Sequence, residues 1–528
     1  MSLEAKVARA VVAAVDEEER RALEDLRLRG GVALVEAFGP ELAFGTAGIR
    51  GPLGVGPARV GPSTVARTTA AVLDALNQPG CLVLVGRDAR HGSDRLAQVV
   101  ARVATGRGHP VHLVDRAPTP VISWAIPRLG AGAGFVVTAS HNPAQDNGLK
   151  VFRGDGAQIV APFDLEVIRR RRELGPIELG PPVQSQGELV ARHRSAVLAL
   201  RSWKKAFGLR VAYSPFQGVG GPSFTALCDE LGVQVLSLPA QSRPDPDFSA
   251  VPDPNPEKPG ALEPLADFAN AEGADLALAH DPDADRLAIL APDGRGRWRA
   301  LSGNQAGVLM AQRVLSVHGQ RPGAFVATTH VSTRAIEPLA DSFGVDVVRT
   351  HTGFKWMARA ARELEPRPLL FAFEEAIGCA VLDLTRDKDG LAAGLLAMET
   401  HLAARGDLWG SWTRFCRDHG GFESRARTWS FAEAGGAAEA FKAWAAQSSG
   451  PAGFRRVNRI DHREGPLPAR LIVDHFDDGS WAAVRPSGTE PKLKLYWEGV
   501  SEPGSDAWAR AKDKADELGQ ALEALASG

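Results

Sequence analysis

This chain has few cysteines, no excess of either charge and no long apolar run. Its cysteines are scattered without a C-x-x-C pair, at Cys81, Cys228, Cys379 and Cys416. That spacing predicts neither a disulfide framework nor a zinc site, and it favours a reducing, cytoplasmic environment. No apolar stretch approaches the roughly 20 residues that span a bilayer, so no membrane partner is expected.

The charge balance also excludes a class of partner. The formal net charge is -2, which gives none of the basic footprint of a nucleic-acid-binding protein. With 44% hydrophobic and 23% charged residues, the composition is typical of a soluble globular protein. The N-terminus lacks the basic start and apolar stretch of a signal peptide. Instead, the segment from Leu3 to Arg29 predicts one or two helices, ended by Gly30-Gly31.

Short apolar runs alternate with longer Ala/Leu/Arg stretches. The runs Leu82–Val85, Val111–Val114 and Phe135–Val137 predict buried strands, and Arg95–Val103 predicts a helix between two of them. This alternation indicates an α/β fold with parallel sheets. The pattern contains no internal repeat, but it restarts near Leu209, after residue 303 and near residue 429.

These restarts define the predicted domains, and several are expected in a chain of 528 residues. The boundaries are a helical extension over 1–40, then domains at 41–190, 203–302, 303–422 and 423–528. The last domain is expected to start with a helical stretch over 432–447 and to end with another over 506–526.

Ser140 lies in the segment TASHNP, directly after the predicted strand Phe135–Val137. Ligands bind at the carboxyl edge of open α/β sheets, and a hydroxyl there could carry a phosphoryl group. His141 and Asn142 add polar groups beside it, and Lys150 brings a cation shortly afterwards. A plain turn is the alternative, because Ser, Asn and Pro all favour turns.

Asp281, Asp283 and Asp285 alternate in a short loop between two apolar runs. The loop lacks the glycine and glutamate of an EF-hand. Three carboxylates so close repel one another unless a cation lies among them, and Arg286 alone cannot offset them. Oxygen ligands of this kind favour Mg²⁺. The alternative is a solvated turn.

Two further loops follow predicted strands. Arg485 to Lys492 offers a guanidinium, two hydroxyls and a glycine backbone, a set that can hold a phosphate. Glu374 and Glu375 follow another strand, and one of them could bind sugar hydroxyls. A turn and a helix N-terminus, respectively, are the alternatives.

The ordered set of motifs resembles the α-D-phosphohexomutase superfamily over nearly the whole chain. The matching segments are GTAGIRG at 45–51, TASHNP at 138–143, NGLKVF at 147–152, DPDADR at 281–286, TGFKW at 352–356, EEAIG at 374–378, DKDG at 387–390 and RPSGTEPK at 485–492. The resemblance implies three related α/β domains with mixed sheets and a smaller C-terminal α+β domain, around a central cleft.

The resemblance also implies a phosphosugar mutase that works through a phosphoserine and a bisphosphate intermediate. The implied catalytic residues are Ser140, Arg50, Lys150 and His141, with Lys150 a general base if nearby cations lower its pKa. One Mg²⁺ would be held by Ser140, Asp281, Asp283 and Asp285. The implied substrate-binding residues are Arg286, Gly353, Phe354, Lys355, Glu374 and Lys388. The non-reacting phosphate would be held by Arg485, Ser487, Gly488 and Thr489.

The preferred sugar stays open at this point. The residues within these motifs are most similar to those of one branch of the family. That branch contains phosphopentomutases, glucose-1,6-bisphosphate synthases and some bacterial phosphoglucomutases. Ala376 stands where many glucose- and mannose-type members have serine, so one sugar contact is absent. We expect a phosphoglucomutase-type enzyme, a monomer or homodimer primed by a sugar bisphosphate. The alternatives are a phosphopentomutase and a bisphosphate synthase or phosphatase using the same site.

Overall fold

The computed structural model describes residues 2–45, 48–431, 435–464, 467–487 and 491–527. The chain divides into two compact units. Unit 1 comprises residues 1–290, 298–300 and 378–399, and unit 2 comprises residues 291–297, 301–377 and 400–528. In the described part of the chain, no helix is both long and apolar enough to cross a bilayer.

The N-terminal segment forms α1 (Leu3–Val12), α2 (Glu17–Arg29) and α3 (Gly31–Ala37). The two predicted helices are therefore confirmed, and Gly30 ends the second with a φ of 60°, a left-handed value that glycine adopts without strain. The expectation that Gly31 also lies beyond the helices is wrong, because a third helix begins there.

The first sheet follows this segment. Its region contains β1 (Ile49–Pro52), α4 (Pro62–Leu76), β2 (Val83–Arg87), α5 (Ser93–Gly106), β3 (Val111–Val114), α6 (Thr119–Leu129), β4 (Ala133–Val137), β5 (Asp146–Arg153), α7 (Phe163–Glu173) and α8 (Glu188–Leu198). The strand order is β1-β5-β4-β2-β3. Strands β4, β2 and β3 are parallel, and β5 is antiparallel to both β4 and β1.

Packing in this region follows from the sequence pattern. Helix α5 buries Leu96, Val99, Val100 and Val103, whose spacing places them on one face of a helix. That face joins a core with the strand residues of β2 and β4. The predicted strands and the helix between them are thus confirmed.

The second sheet repeats this arrangement. Its region contains β6 (Arg210–Ser214), α9 (Gly221–Leu231), β7 (Gln234–Ser237), a 3-10 turn (Pro239–Gln241), α10 (Glu263–Ala271), β8 (Leu276–His280), β9 (Leu287–Pro292) and β10 (Trp298–Ala300). Strands β8, β6 and β7 are parallel, and β9 is antiparallel to β8.

The third region uses the same parallel core. It contains α11 (Gly303–His318), β11 (Phe325–Thr329), α12 (Ile336–Phe343), β12 (Asp346–Thr350), α13 (Phe354–Glu363), β13 (Leu369–Phe373), β14 (Cys379–Val381), α14 (Gly390–Ala403) and α15 (Leu408–His419). Strand β11 pairs in parallel with β12 on one side and β13 on the other. All three regions thus place the first of their three parallel strands between the second and the third, as expected for the three related α/β domains that the resemblance implied.

The C-terminal sheet is antiparallel throughout. Its region contains β15 (Gly421–Ser430), α16 (Gly436–Ala446), β16 (Arg456–Asp461), β17 (Ile472–Phe476), β18 (Trp481–Pro486), β19 (Lys492–Ser501) and α17 (Ala507–Ser527), in the order β15-β19-β18-β17-β16. The helical stretch expected over 432–447 is confirmed as α16, but it does not start the domain, because β15 precedes it and pairs along its whole length with β19. Arginine and glutamate side chains interrupt the apolar pattern of β15, which hides the strand in the sequence.

One glycine fixes the aspartate loop against its own sheet. Gly218 follows β6, and a Cβ atom there would lie 2.3 Å from Cα and O of Pro282. We expect Gly218→Ala to lower the free energy of unfolding by about 1–3 kcal/mol, the usual cost of overpacking. Urea unfolding measures the change, with Gly175→Ala as control because nothing lies within 4 Å of that position. Equal midpoints for the two variants would contradict this close contact.

Candidate active site

Ser140 lies on a constrained turn at the carboxyl end of β4. Its backbone has a φ of 52°, a left-handed value that costs energy for a residue with a side chain and often marks a functional site. The Ser140 amide donates to Thr138 Oγ1 at 2.8 Å, and the residue is only 1% exposed. The turn therefore holds the hydroxyl in a buried, defined position.

Arg90 also holds this turn in place, although its role was not predicted from the sequence. Its guanidinium donates to the carbonyl oxygens of Ser140 at 2.6 Å, Pro143 at 2.7 Å and Asp146 at 3.1 Å. Arg90 follows β2, so its place after a parallel strand was a usable signal. These carbonyl contacts make Arg90 a positioning residue for the serine loop.

The aspartate loop meets the serine loop within unit 1. The loop connects the antiparallel strands β8 and β9, and Asp281, Asp283 and Asp285 are each at most 1% exposed. Ser140 Oγ donates a hydrogen bond to Asp281 Oδ2 at 2.7 Å. The two most informative motifs of the sequence are therefore in direct contact.

The charge that offsets the aspartates comes from lysine. Lys150, on β5, is 0% exposed, and its Nζ lies 2.6 Å from Asp283 Oδ2 and 2.5 Å from Asp285 Oδ2. Lys388 Nζ lies 3.4 Å from Asp285 Oδ2. Arg286 donates its backbone N–H to Asp281 at 3.0 Å, and its guanidinium binds Glu257 at 2.7 Å.

Thr119 is a second contact that the sequence did not indicate. At the start of α6, its hydroxyl donates to Asp283 Oδ2 at 2.6 Å, and its backbone N–H donates to the Asp283 carbonyl at 2.9 Å. A threonine at the first turn of a helix is too common to single out from sequence.

The same carboxylates could hold a metal ion. One oxygen from each aspartate lies within 4.8 Å of the others. Asp283 Oδ1 and Asp285 Oδ1 are buried and have no hydrogen-bond partner among the described residues. Buried carboxylate oxygens without donors are costly, and an all-oxygen set suits a hard divalent cation. The residues present thus fit the predicted ion.

Electrostatics distinguish the members of this cluster. Burial, together with the charges of Asp285 and Asp283, raises the pKa of Asp281 above its ordinary 3.8. Burial alone would lower the pKa of Lys150, but Asp283 and Asp285 raise it above 10.5. To act as a general base near pH 7, Lys150 would need a lowered pKa. Its pKa is raised instead, so the condition set for that role is not met.

His141 and Arg50 complete the surroundings of the serine hydroxyl. His141 Nδ1 lies 3.1 Å from Ser140 Oγ. Burial, and then the nearby Arg286 and Arg50, lower the pKa of His141 well below 6.5, so the ring is neutral near pH 7. Arg50, on β1, donates to Asn142 Oδ1 at 3.3 Å, which places a guanidinium beside the serine loop.

Four of the six predicted substrate-binding residues lie in unit 2, namely Gly353, Phe354, Lys355 and Glu374. Glu374 follows β13, the third parallel strand of its sheet, and its Oε1 accepts the Gly353 N–H at 2.7 Å. Lys355 is on the first turn of α13 and partly exposed. Phe354 is buried, at 4% exposure, so only its backbone is available for a contact with a ligand.

The predicted phosphate loop starts at the end of β18. Arg485 is partly exposed, hydrogen-bonds Tyr496, and its Nε has no partner among the described residues. The Ser487 amide donates to the Lys492 carbonyl at 2.7 Å, which turns the chain back into β19. Gly488 and Thr489 lie outside the described residues.

Removing the buried ammonium tests this site. In Mg²⁺-free buffer, we expect Lys150→Met to lower the free energy of unfolding by about 3–5 kcal/mol, because buried carboxylates lose their partner. Added Mg²⁺ should then raise the melting temperature of the variant more than that of the wild type.

The control for this experiment is Lys258→Met. That residue makes an exposed ion pair with Asp253 at 3.2 Å, which contributes about 0–1 kcal/mol. An identical response to Mg²⁺ in all three proteins would argue against a cation at the aspartates.

Comparison with known proteins gives the same picture over the whole chain. Four descriptions of the phosphoglucomutase/phosphomannomutase family match, with alpha/beta/alpha domains I, II and III at residues 41–174, 191–294 and 302–409 and the C-terminal domain at 436–514. The domain boundaries proposed from the sequence stay a prediction beside these matches.

Two relatives of known name align with most of this chain. A phosphopentomutase from Mus musculus is 30% identical over 553 aligned residues, covering 93% of this chain and 89% of its own. A phosphoglucomutase from Staphylococcus aureus is 29% identical over 498, covering 87% and 90%.

A solved structure shares the fold. It is a phosphoglucomutase/phosphomannomutase family protein from Burkholderia thailandensis, with a TM-score of 0.70 and 23% identity, covering 92% of this chain and 98% of that one. With four family domains in order and relatives of nearly full length, the chain belongs to the phosphoglucomutase/phosphomannomutase family and is an intramolecular phosphotransferase.

Proposed function

We propose that this chain moves a phosphoryl group between the C1 and C6 oxygens of a hexose phosphate, through a phosphoserine at Ser140 and a sugar bisphosphate. Glucose phosphate is the proposed substrate. The observation that carries the proposal is the buried Ser140 hydroxyl, which donates a hydrogen bond to Asp281 at 2.7 Å. It lies beside the ion pairs of Lys150 with Asp283 and Asp285. A serine so placed has charged groups ready for the oxygens of a phosphoryl group.

In the proposed reaction, the phosphoryl group leaves and returns to one enzyme oxygen, Ser140 Oγ. The bond between Ser140 Oγ and phosphorus breaks, a bond from phosphorus to a sugar hydroxyl oxygen forms, and the proton of that hydroxyl is transferred to the freed Ser140 Oγ. The bisphosphate then presents its other phosphate, and the same exchange runs in reverse at Ser140. Unphosphorylated Ser140 would first be primed by a sugar bisphosphate.

Charge compensation would come from two sources. Lys150 stays protonated, since its pKa is raised, and it supplies a fixed positive charge. A hard divalent cation, with Mg²⁺ as the candidate, would be held by Asp281, Asp283, Asp285 and the serine phosphate, and when bound neutralises phosphoryl oxygens.

Proton transfer is better assigned to His141 than to Lys150. The neutral His141 ring has Nδ1 at 3.1 Å from Ser140 Oγ, which is within hydrogen-bond reach of the reacting oxygen. We propose that His141 exchanges the proton that Ser140 gains and loses in each half-reaction.

Recognition of the rest of the substrate is assigned to unit 2. Glu374 would accept hydrogen bonds from sugar hydroxyls, and the peptide at Gly353 would be held by the same carboxylate. Arg485 would bind the non-reacting phosphate, which is supported by its unpartnered buried Nε. Arg286 and Lys388 are also proposed to bind the substrate.

A pentose phosphate is the second candidate substrate, and Ala376 supports it. A methyl group at that position cannot replace the sugar contact of a serine hydroxyl. The similarity to the Mus musculus phosphopentomutase over 93% of the chain points the same way. A bisphosphate synthase or a phosphatase at the same site is distinguished by product analysis, since only a mutase conserves phosphate without a separate donor.

A turnover assay tests the function directly. We expect conversion of glucose 1-phosphate in the presence of Mg²⁺ and trace glucose 1,6-bisphosphate, assayed beside ribose 1-phosphate and mannose 1-phosphate. Ser140→Ala should lower kcat by roughly 10⁴-fold or more, as loss of a nucleophile does, and intact-mass spectra should lose the phosphoryl adduct. Ser195→Ala, an exposed serine on α8, is the control. Mutase turnover that persists in Ser140→Ala would rule out the phosphoserine route.

The two ends of the substrate can be tested separately. Arg485→Ala removes a charge-assisted contact of about 1.5–3 kcal/mol, so KM should rise roughly 10- to 100-fold with a smaller loss in kcat. Arg455→Ala is the control, because that residue lies just before β16 and its side chain is 77% exposed. An unchanged KM with a collapsed kcat would place Arg485 at the reacting centre instead.

A further inference from the structure

Three histidines that the proposed reaction does not use converge within unit 2. His330 follows β11, His351 follows β12, and His462 follows β16. One ring nitrogen from each lies within 4.8 Å of the other two. Their ring centroids are 4.2 to 5.7 Å apart, so the three imidazoles form one compact cluster.

A hydrogen bond from one ring nitrogen of His351 fixes the tautomer of that residue. His351 Nε2 lies 2.8 Å from the carbonyl oxygen of Leu467, and because a carbonyl only accepts, Nε2 carries the proton. The lone pair is therefore on Nδ1. A metal-binding histidine is typically oriented in this way, by donating its other N–H to a backbone carbonyl.

Two ring nitrogens of the cluster lack partners among the described residues. His351 Nδ1 and His462 Nε2 are both buried, and neither makes a hydrogen bond to any residue that the structure describes. Two buried, unpaired ring nitrogens in one cluster are costly unless a ligand satisfies them.

Burial affects the titration of two of the three histidines. Burial, with contributions from the neighbouring histidines, lowers the pKa of His330 to about 3, and burial likewise lowers the pKa of His462 below 6.5. Two arginines lie near, but Arg349 is paired with Glu337 at 2.6 Å and Arg334 is stacked over Trp481. Neutral imidazole is the form that binds a metal.

We propose that His330, His351 and His462 bind one Zn²⁺ ion. Three imidazole nitrogens with an open fourth position are a known zinc arrangement, and nitrogen donors select borderline metals over Mg²⁺. Zinc–nitrogen bonds of about 2.0–2.1 Å require ring nitrogens roughly 3.3 Å apart in a tetrahedron, so binding of the ion would draw the three rings closer together. The cysteine spacing argued against zinc, but it could not reveal histidines brought together by folding.

The ion would tie the C-terminal sheet to the third sheet. His462 belongs to the C-terminal sheet region, whereas His330 and His351 follow strands of the third sheet. A ligand that binds only the folded state stabilises it. Zinc should therefore raise the thermal stability of unit 2, independently of the chemistry at Ser140 in unit 1.

Cobalt and zinc titrations test the site. Untagged, chelator-treated full chain is titrated with Co²⁺ and then Zn²⁺, with excess Mg²⁺ present to occupy the aspartates. We expect one equivalent of Co²⁺ with the intense visible absorption of a tetrahedral nitrogen site, displaced by Zn²⁺. We also expect a higher melting temperature with Zn²⁺.

Variants assign the binding to these residues. His462→Gln and His351→Gln should each weaken Zn²⁺ binding by at least about 10- to 100-fold, the loss that even outer ligand partners cause. His318→Gln, at the exposed end of α11, should bind like the wild type. Metal-free melting curves confirm that each variant is folded. No zinc bound by the wild type, or equal affinity in the wild type and His462→Gln, would overturn the proposal.

Discussion

A single buried ammonium group connects the two loops on which the active site depends. Lys150 belongs to the first sheet, and its two carboxylate partners belong to the loop of the second. The lysine and both aspartates are almost fully buried, with side-chain exposures of 0 to 2%. In that environment an unpaired charge is far more costly than at the surface. The pairing therefore fixes the register between the serine and the aspartates.

The serine hydroxyl depends on this register. Ser140 reaches Asp281 from one sheet, while Thr119 holds the neighbouring Asp283 from the same side. Arg90 in turn fixes the carbonyl groups of the serine turn. The reacting oxygen is thus located by hydrogen bonds on both sides, and these are backbone or buried contacts that have little freedom to rearrange.

Much of the local structure could be predicted from the sequence, because strands and turns leave short-range patterns. The run before Ser140 and the apolar runs around the aspartates became β4, β8 and β9, as predicted. The contact of Lys150 with Asp283 spans 133 residues, and no periodicity reports on such a distance. For the same reason the sequence could not indicate that the guanidinium of Arg286 binds Glu257. The histidine cluster was equally hidden, since its members follow three separate strands.

The repeated topology of the first three sheets has a consequence for how such a site can arise. Ser140, the aspartates and Glu374 each follow the third parallel strand of their own sheet. Each copy keeps its buried strands for stability and varies only the loop, where change is tolerated. One copy carries a nucleophile, another a cluster of carboxylates, and the third a single acid. Because the topology occurs three times, each loop can change its functional residues separately. No single sheet then has to carry the nucleophile, the carboxylate cluster and the single acid together.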